Sequence, residues 1–218
     1  MDNEKSLRER LIDVGVDLVI TEGSASLGLR EIARRAGVSH GAPRRHFPTH
    51  QALLSAIARR GFEDLGARFE AAIEGAASAQ AQLRALARVY VAYALEHRGM
   101  FELMFRHDLL DSEGSPSDRP RLRESTLPLY EFIVRLVARY RTERDTAREP
   151  VGPAGTEPPP AVTAAALWSN IHGIAQLWAW RSLQLALGAP PSDAASGGAE
   201  LDRLVDAALD AHLGPVSV

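Results

Sequence analysis

LREIARRAGVSHGAPRRHF, Leu29 to Phe47, is the stretch whose reading decides the fold. Leu29, Ile32 and Ala33 fall on one side of a short helix, and Gly37 follows as a residue that adopts left-handed backbone at no steric cost. A second helix then offers polar side chains as far as His46, with Ser39 as its predicted N-cap. Pro43 sits in the first turn of that helix, where a missing N–H costs little, and Phe47-Pro48 ends it. Glu31 lies in the first turn of the leading helix, where a carboxylate suits the positive end of the helix dipole. Two short helices about a glycine turn, the first amphipathic and the second polar outward, have the layout of a helix-turn-helix.

Outward from this pair the periodicity stays helical. Upstream, a helix is predicted from Ser6 to Glu22, with Leu7, Leu11, Val14 and Leu18 on one stripe and Gly23 as its stop. Downstream, Thr49 caps a long fourth helix reaching about Gly75. Further helices are predicted at about 78–97, 99–106, 119–148, 161–187 and 199–213. Pro/Gly-rich breaks near 112–120, 149–160 and 188–198 separate them. The expected fold is all-α, of about nine helices. The last helix carries Leu201, Leu204, Val205, Ala208 and Leu209 on one stripe, with Asp202, Arg203, Asp206 and Asp210 read as its solvent side.

Charge is uneven along the 218 residues. The formal net charge is −3, yet residues 1–60 hold 10 Lys/Arg against 7 Asp/Glu, and residues 30–60 hold seven arginines against the single Glu31. A basic end on an acidic body suits a protein that approaches phosphate with one end. The chain has no cysteine, which excludes disulfides, cysteine-based zinc sites and thiol catalysis. No apolar run approaches the roughly 20 residues of a membrane span, and MDNEKSLRER has no apolar segment behind it, so a cytoplasmic protein is expected.

LIDVGVDLVITEG together with LREIARRAGVSHGAPRRHFPTHQALLSAIA resembles the DNA-binding domain of the tetracycline-repressor (TetR) family, without a gap over residues 7–58. The resemblance implies a three-helix DNA-binding domain at 1–48 and a helical ligand-binding and dimerisation domain at 49–218. It places Ser39, His40, Gly41, Ala42, Arg44, Arg45 and His46 on the DNA-facing helix, with Val38, Pro43 and Phe47 behind. Thr49 and His50 open the fourth helix, whose amide groups and dipole suit a phosphate. Two positions depart from the family pattern: Arg44 replaces the usual tyrosine and His50 the usual lysine. Arginine brings a bidentate fork for phosphate or the guanine edge, whereas His50 gives up a permanent charge, so an altered operator preference is expected.

The segment LWSNIHGIAQLWAW, Leu167 to Trp180, resembles the Trp-x-x-x-His-Gly element of one class of TetR C-terminal domains. Trp168 and His172 lie four apart on one face, and Gly173 is read as admitting a close neighbour. Tyr90, Tyr93, Phe101, Met104, Phe105, Tyr130, Trp168 and His172 are the candidate lining of an aromatic-rich ligand site, though each is also a natural core residue. No metal site and no cofactor are expected. The partners implied by the resemblance are double-stranded operator DNA, a small, mostly apolar effector, and a second copy of the chain joined through the last two helices. Two other readings stand beside this ligand-released repressor: a helical module of the same fold that has lost DNA and serves protein interaction or ligand sequestration, and an enzyme. The enzyme is disfavoured because no His-Glu-x-x-His, phosphate-binding glycine loop or paired nucleophile occurs.

Overall fold

The computed structural model describes residues 6–106, 122–147, 157–188 and 194–214. They form an all-α fold of ten α-helices and one 3-10 turn: α1 (Leu7–Glu22), the turn Ser24–Ser26, α2 (Leu29–Arg35), α3 (Ala42–His46), α4 (His50–Ile73), α5 (Ala79–Glu96), α6 (Arg98–Met104), α7 (Leu122–Ala147), α8 (Pro160–Ala179), α9 (Ser182–Ala186) and α10 (Ala194–Leu213). The breaks predicted at 112–120 and 149–156 lie outside the described residues. The chain divides into two compact units, residues 1–65 with 97–127 and residues 66–96 with 128–218.

The first unit begins with a capping box. The Ser6 hydroxyl accepts from the Glu9 amide at 3.3 Å, and the Glu9 carboxylate accepts from the Ser6 amide at 3.2 Å, so two donors otherwise left over at the start of α1 are satisfied. Leu11 and Leu18 on its stripe are fully buried, as are Ile32, Leu53 and Ile57 from α2 and α4. Each such side chain stabilises by roughly 1.5–3 kcal/mol relative to exposure. Gly15 sits under Ile57, where a Cβ would strike that side chain. Gly99 in α6 approaches the Val19 carbonyl and lies so near Gly23 that an added Cβ would stand 2.9 Å from its Cα; backbone cannot yield as a side chain can. Gly37 has φ +68°, the left-handed turn anticipated between α2 and α3. Ser39 is not the N-cap of α3, because the helix starts later: the Ser39 carbonyl accepts from the Ala42 amide at 3.0 Å and Gly41 is the cap residue. Thr49 does cap α4, its hydroxyl accepting from the Ala52 amide at 3.0 Å.

In the second unit α5 packs on α8 and α10, and α8 on α10. Leu83, Leu86, Val137, Leu167, Ile171, Val205 and Leu209 make its core. The supposed solvent side of α10 is partly inward. Arg84, 8% exposed on α5, donates to Asp206 at 3.0 Å and to Asp210, while Arg88 donates to Asp206 at 2.8 Å. The acidic residues flank the apolar stripe at a four-residue spacing that matches Arg84 and Arg88 on α5, so a pattern read as solvated is an ion-paired seam. Before α8, Arg141 donates to the Pro158 carbonyl and the Thr163 hydroxyl, both at 2.7 Å, and pairs with Glu157 at 3.0 Å.

Two predicted spans need correction. The helix expected over 161–187 ends at Ala179, and Arg181 takes the left-handed conformation (φ +63°) before α9 resumes the helical path. Neither proline nor glycine marks this break, and the apolar periodicity runs straight through it. The break expected to Gly198 also stops sooner, for α10 starts at Ala194 and takes Gly197 and Gly198 into its first turns. Among the described residues no helix is long and apolar enough to cross a membrane.

Candidate nucleic-acid interface and ligand site

α3 is five residues long and is held from behind. Pro43 and Phe47 are buried, and the Arg8 guanidinium lies 5.4 Å over the Phe47 ring. Arg10 donates to the Ala36 carbonyl at 2.7 Å, satisfying an acceptor at the end of α2. With that face fixed, Ser39, His40, Gly41, Arg44 and Arg45 are exposed, Ala42, His46 and Thr49 half-buried.

The arginines of this region fall into two sets. Arg34 grips Glu31 through two bonds of 2.9 and 2.6 Å; Arg35 donates to Glu31 at 2.7 Å and to Glu22. Hydrogen bonds from Arg34, then Arg35, hold the Glu31 carboxyl at about 2 instead of 4.5. Arg30, Arg44 and Arg45 make no hydrogen bond or ion pair among the described residues. Two charges are therefore spent internally, and those on α3 keep their full charge and all their donors for a partner.

His50, predicted beside the DNA, has its ring against the protein: Nε2 lies 2.5 Å from the Leu27 carbonyl. A carbonyl only accepts, so Nε2 carries the hydrogen. Neither the Arg10 cap nor the His50 bond has a signal in the sequence, because both end on main-chain oxygens.

In the second unit the structure brings together four of the residues proposed for a ligand. The Trp168 indole N–H donates to the Tyr90 hydroxyl at 3.0 Å, and that hydroxyl is hydrogen-bonded to His172 Nδ1 at 2.7 Å. Burial raises the Tyr90 phenol well above its ordinary value and lowers the His172 imidazole. Both stay neutral near pH 7. The Trp168 ring meets His172 edge-on at 5.9 Å and Tyr130 at 6.4 Å, and the Tyr130 hydroxyl donates to the Ala161 carbonyl at 2.7 Å.

The other four lie in different surroundings. Tyr93 is 2% exposed with the Arg68 guanidinium 5.2 Å over its ring. Phe101, Met104 and Phe105 belong to the first unit. There Phe105 meets Phe62 edge-on at 5.6 Å and Phe101 at 4.9 Å, while Met104 and Met100 close over Gly61. Among the described residues no cluster of three or more His, Asp or Glu side chains is arranged to hold a metal.

Among the described residues nothing covers one side of α8. Val162, Ala166, Ser169, Leu177 and Trp180 are exposed at helical spacing, and a Cβ on Gly173 would meet nothing within 4 Å. The close neighbour expected at Gly173 is absent among the described residues of this chain. Trp178 is buried and Trp180 is 56% exposed, so the all-round apolar character of α8 does not translate into all-round burial. Leu185 on α9 extends the same apolar character, 81% exposed.

Sequence-family comparison matches residues 11–57 to the model described as "Bacterial regulatory proteins, tetR family" and residues 83–210 to "Tetracyclin repressor-like, C-terminal domain". Among solved structures, a protein of unknown function from Rhodococcus sp. RHA1 is 32% identical, with a TM-score of 0.71 over 97% of this chain and 96% of the other. A TetR-family transcriptional regulator from Streptomyces coelicolor is 17% identical (TM-score 0.61, 95% and 96% covered). The TetR family transcriptional regulator PfmR from Thermus thermophilus is 18% identical (TM-score 0.59, 92% and 97% covered). The last two share the fold at these identities. No curated protein sequence matches the chain.

Proposed function

Because the chain belongs to the TetR family of bacterial regulatory proteins, we propose that it is a ligand-controlled repressor that binds a palindromic operator as a homodimer in the cytoplasm. The observation that carries this reading is the partition of the arginines: Arg34 and Arg35 are neutralised by Glu31 and Glu22, whereas Arg44 and Arg45 stand exposed on α3 with no ion pair among the described residues. In the major groove their forks suit guanine O6/N7 or phosphate, with Ser39, His40, Gly41, Ala42 and His46 along the same edge. Thr49 and the first amides of α4 suit a neighbouring phosphate.

The uncovered side of α8 supports dimerisation. Val162, Ala166, Gly173, Leu177 and Trp180 form a seam that would otherwise leave large apolar side chains in water, and a second copy supplies the same seam about a twofold axis. Two α3 helices then face two half-sites. The effector site we assign to Tyr90, Trp168 and His172 with Tyr130, the residues of the Trp-x-x-x-His-Gly element among them: aromatic walls and a chain of hydrogen-bonded polar groups suit a mostly apolar molecule with a polar group. Binding there loosens the operator complex by changing the spacing of the two α3 helices. None of these residues has a catalytic role.

Selection of duplexes from a random pool by the full chain tests the reading. The expected product is an enriched palindrome with half-sites about one helical turn, or a multiple of it, apart. A chain that enriches no sequence and retains no duplex at low salt is not a DNA-binding regulator, and a module devoted to protein interaction or ligand sequestration takes its place.

A further inference from the structure

His50 begins a 24-residue helix at the edge of the candidate DNA surface, where a charged side chain would touch phosphate. Its hydrogen bond is made elsewhere, to the carbonyl of Leu27, 23 residues back and 3% exposed. We infer that His50 is a positioning residue: the Nε2–H to Leu27 bond closes the helix-turn-helix into a loop and holds α3 in register with the body of the domain. This inference rests on the DNA-binding reading above.

The stretch closed by the bond contains α2, the Gly37 turn and all of α3. α3 has little means of orienting itself. It is barely more than one turn, below the length at which a helix is stable alone, and no side chain caps its start among the described residues. Its back is fixed by Pro43 and Phe47, and α2 by the Arg10 bond to Ala36. What remains is the angle at which Phe47-Pro48-Thr49 leads from α3 into α4. The His50 ring sets it, because Leu27 directly precedes Gly28, the residue that opens α2. Farther along α4, Ile57 lies over Gly15 of α1, so a second anchor stops α4 from sliding while the His50 bond fixes its first turn.

Positioning and contact make different predictions for salt dependence. Each phosphate contact contributes about one unit to the slope of log affinity against log salt, whereas a misplaced α3 loses base readout and leaves non-specific attraction alone. The experiment compares the full-length chain with His50→Ala, His50→Asn and His50→Gln on the palindrome recovered by selection and on an unrelated duplex, across a salt series. A circular dichroism melt first confirms that each variant is folded at the assay temperature. We expect His50→Ala to weaken palindrome binding by about tenfold, the worth of one hydrogen bond, with unrelated duplex and salt slope unchanged. His50→Gln, whose amide reaches the same carbonyl, restores most of the loss; His50→Asn, one methylene shorter, does not. Equal losses on both duplexes with a slope shallower by about one, or no rescue by glutamine, overturn the inference in favour of direct phosphate contact. A wild-type chain that binds neither duplex removes the DNA-binding reading itself, an outcome distinct from any pattern among the variants.

Discussion

The two candidate sites spend their polar groups in opposite ways. Around α2 and α3, carboxylates occupy Arg34 and Arg35, whereas Arg44 and Arg45 have no hydrogen bond or ion pair among the described residues and keep their donors toward solvent. In the helical bundle, Arg84 is closed off by Asp206 and Asp210, and Tyr90 by Trp168 and His172. The first arrangement advertises charge. The second removes charge from view and joins its polar groups to one another. A site for a polyanion wants donors held in reserve, and a site for a small apolar molecule wants its polar atoms few and already aligned.

The largest effect that would sharpen this contrast is on DNA. Arg44→Ala with Arg45→Ala should cost about 1–3 kcal/mol per arginine and flatten the salt slope by about one for each phosphate these side chains neutralise. Arg34→Ala with Arg35→Ala, read in the same fluorescence-anisotropy titration, should change the slope far less; equal effects would erase the distinction between the two sets. In the bundle, Asp206→Ala with Asp210→Ala leaves the Arg84 guanidinium buried without its carboxylates. A loss of about 3 kcal/mol in urea unfolding is expected, with duplex binding by the folded fraction unchanged. Tyr90→Phe removes the acceptor of Trp168 and the hydrogen-bond partner of His172 and should cost about 1–3 kcal/mol. Indole emission should shift with it; an unmoved spectrum would show that the relay is not formed in solution.

The smallest effect lies in acid. Glu31 titrates at about 2 in the folded protein against 4.5 when free of its arginines, so its contribution is complete above pH 4.5 and disappears as pH falls from there toward 2. Glu31→Gln should lower the melting temperature at neutral pH, where that contribution is complete, and flatten stability across the acid window, so that variant and parent converge as pH falls toward 2. His172 acts in the same direction at higher pH: its lowered folded value means that charging it, from about pH 6.5 downward, disfavours the fold.

The same contrast explains what the sequence disclosed. α1 to α4 and the Gly37 turn were legible because their determinants are local: an apolar stripe, a capping hydroxyl at Thr49, a glycine where φ is positive. The candidate DNA surface is one contiguous run, so reading it needed no tertiary information. Tyr90 and His172 are 82 residues apart, and only folding reveals that one hydroxyl joins them. The break at Arg181 had no signal because left-handed backbone there is imposed on a residue with no preference for it. Asp206 and Asp210 misled by composition: acidic residues beside an apolar stripe face solvent unless an opposing helix carries arginine at the same interval, as α5 does.

The open side of Gly173 has a practical corollary. The chain contains no cysteine, so a thiol introduced at that position would be the sole one in the molecule, reachable and free of rearrangement. Placed on the seam of α8, it turns a bare stretch of helix into a reporter of pairing: a thiol reagent that reaches it in a single copy is shut out once a second copy covers the seam.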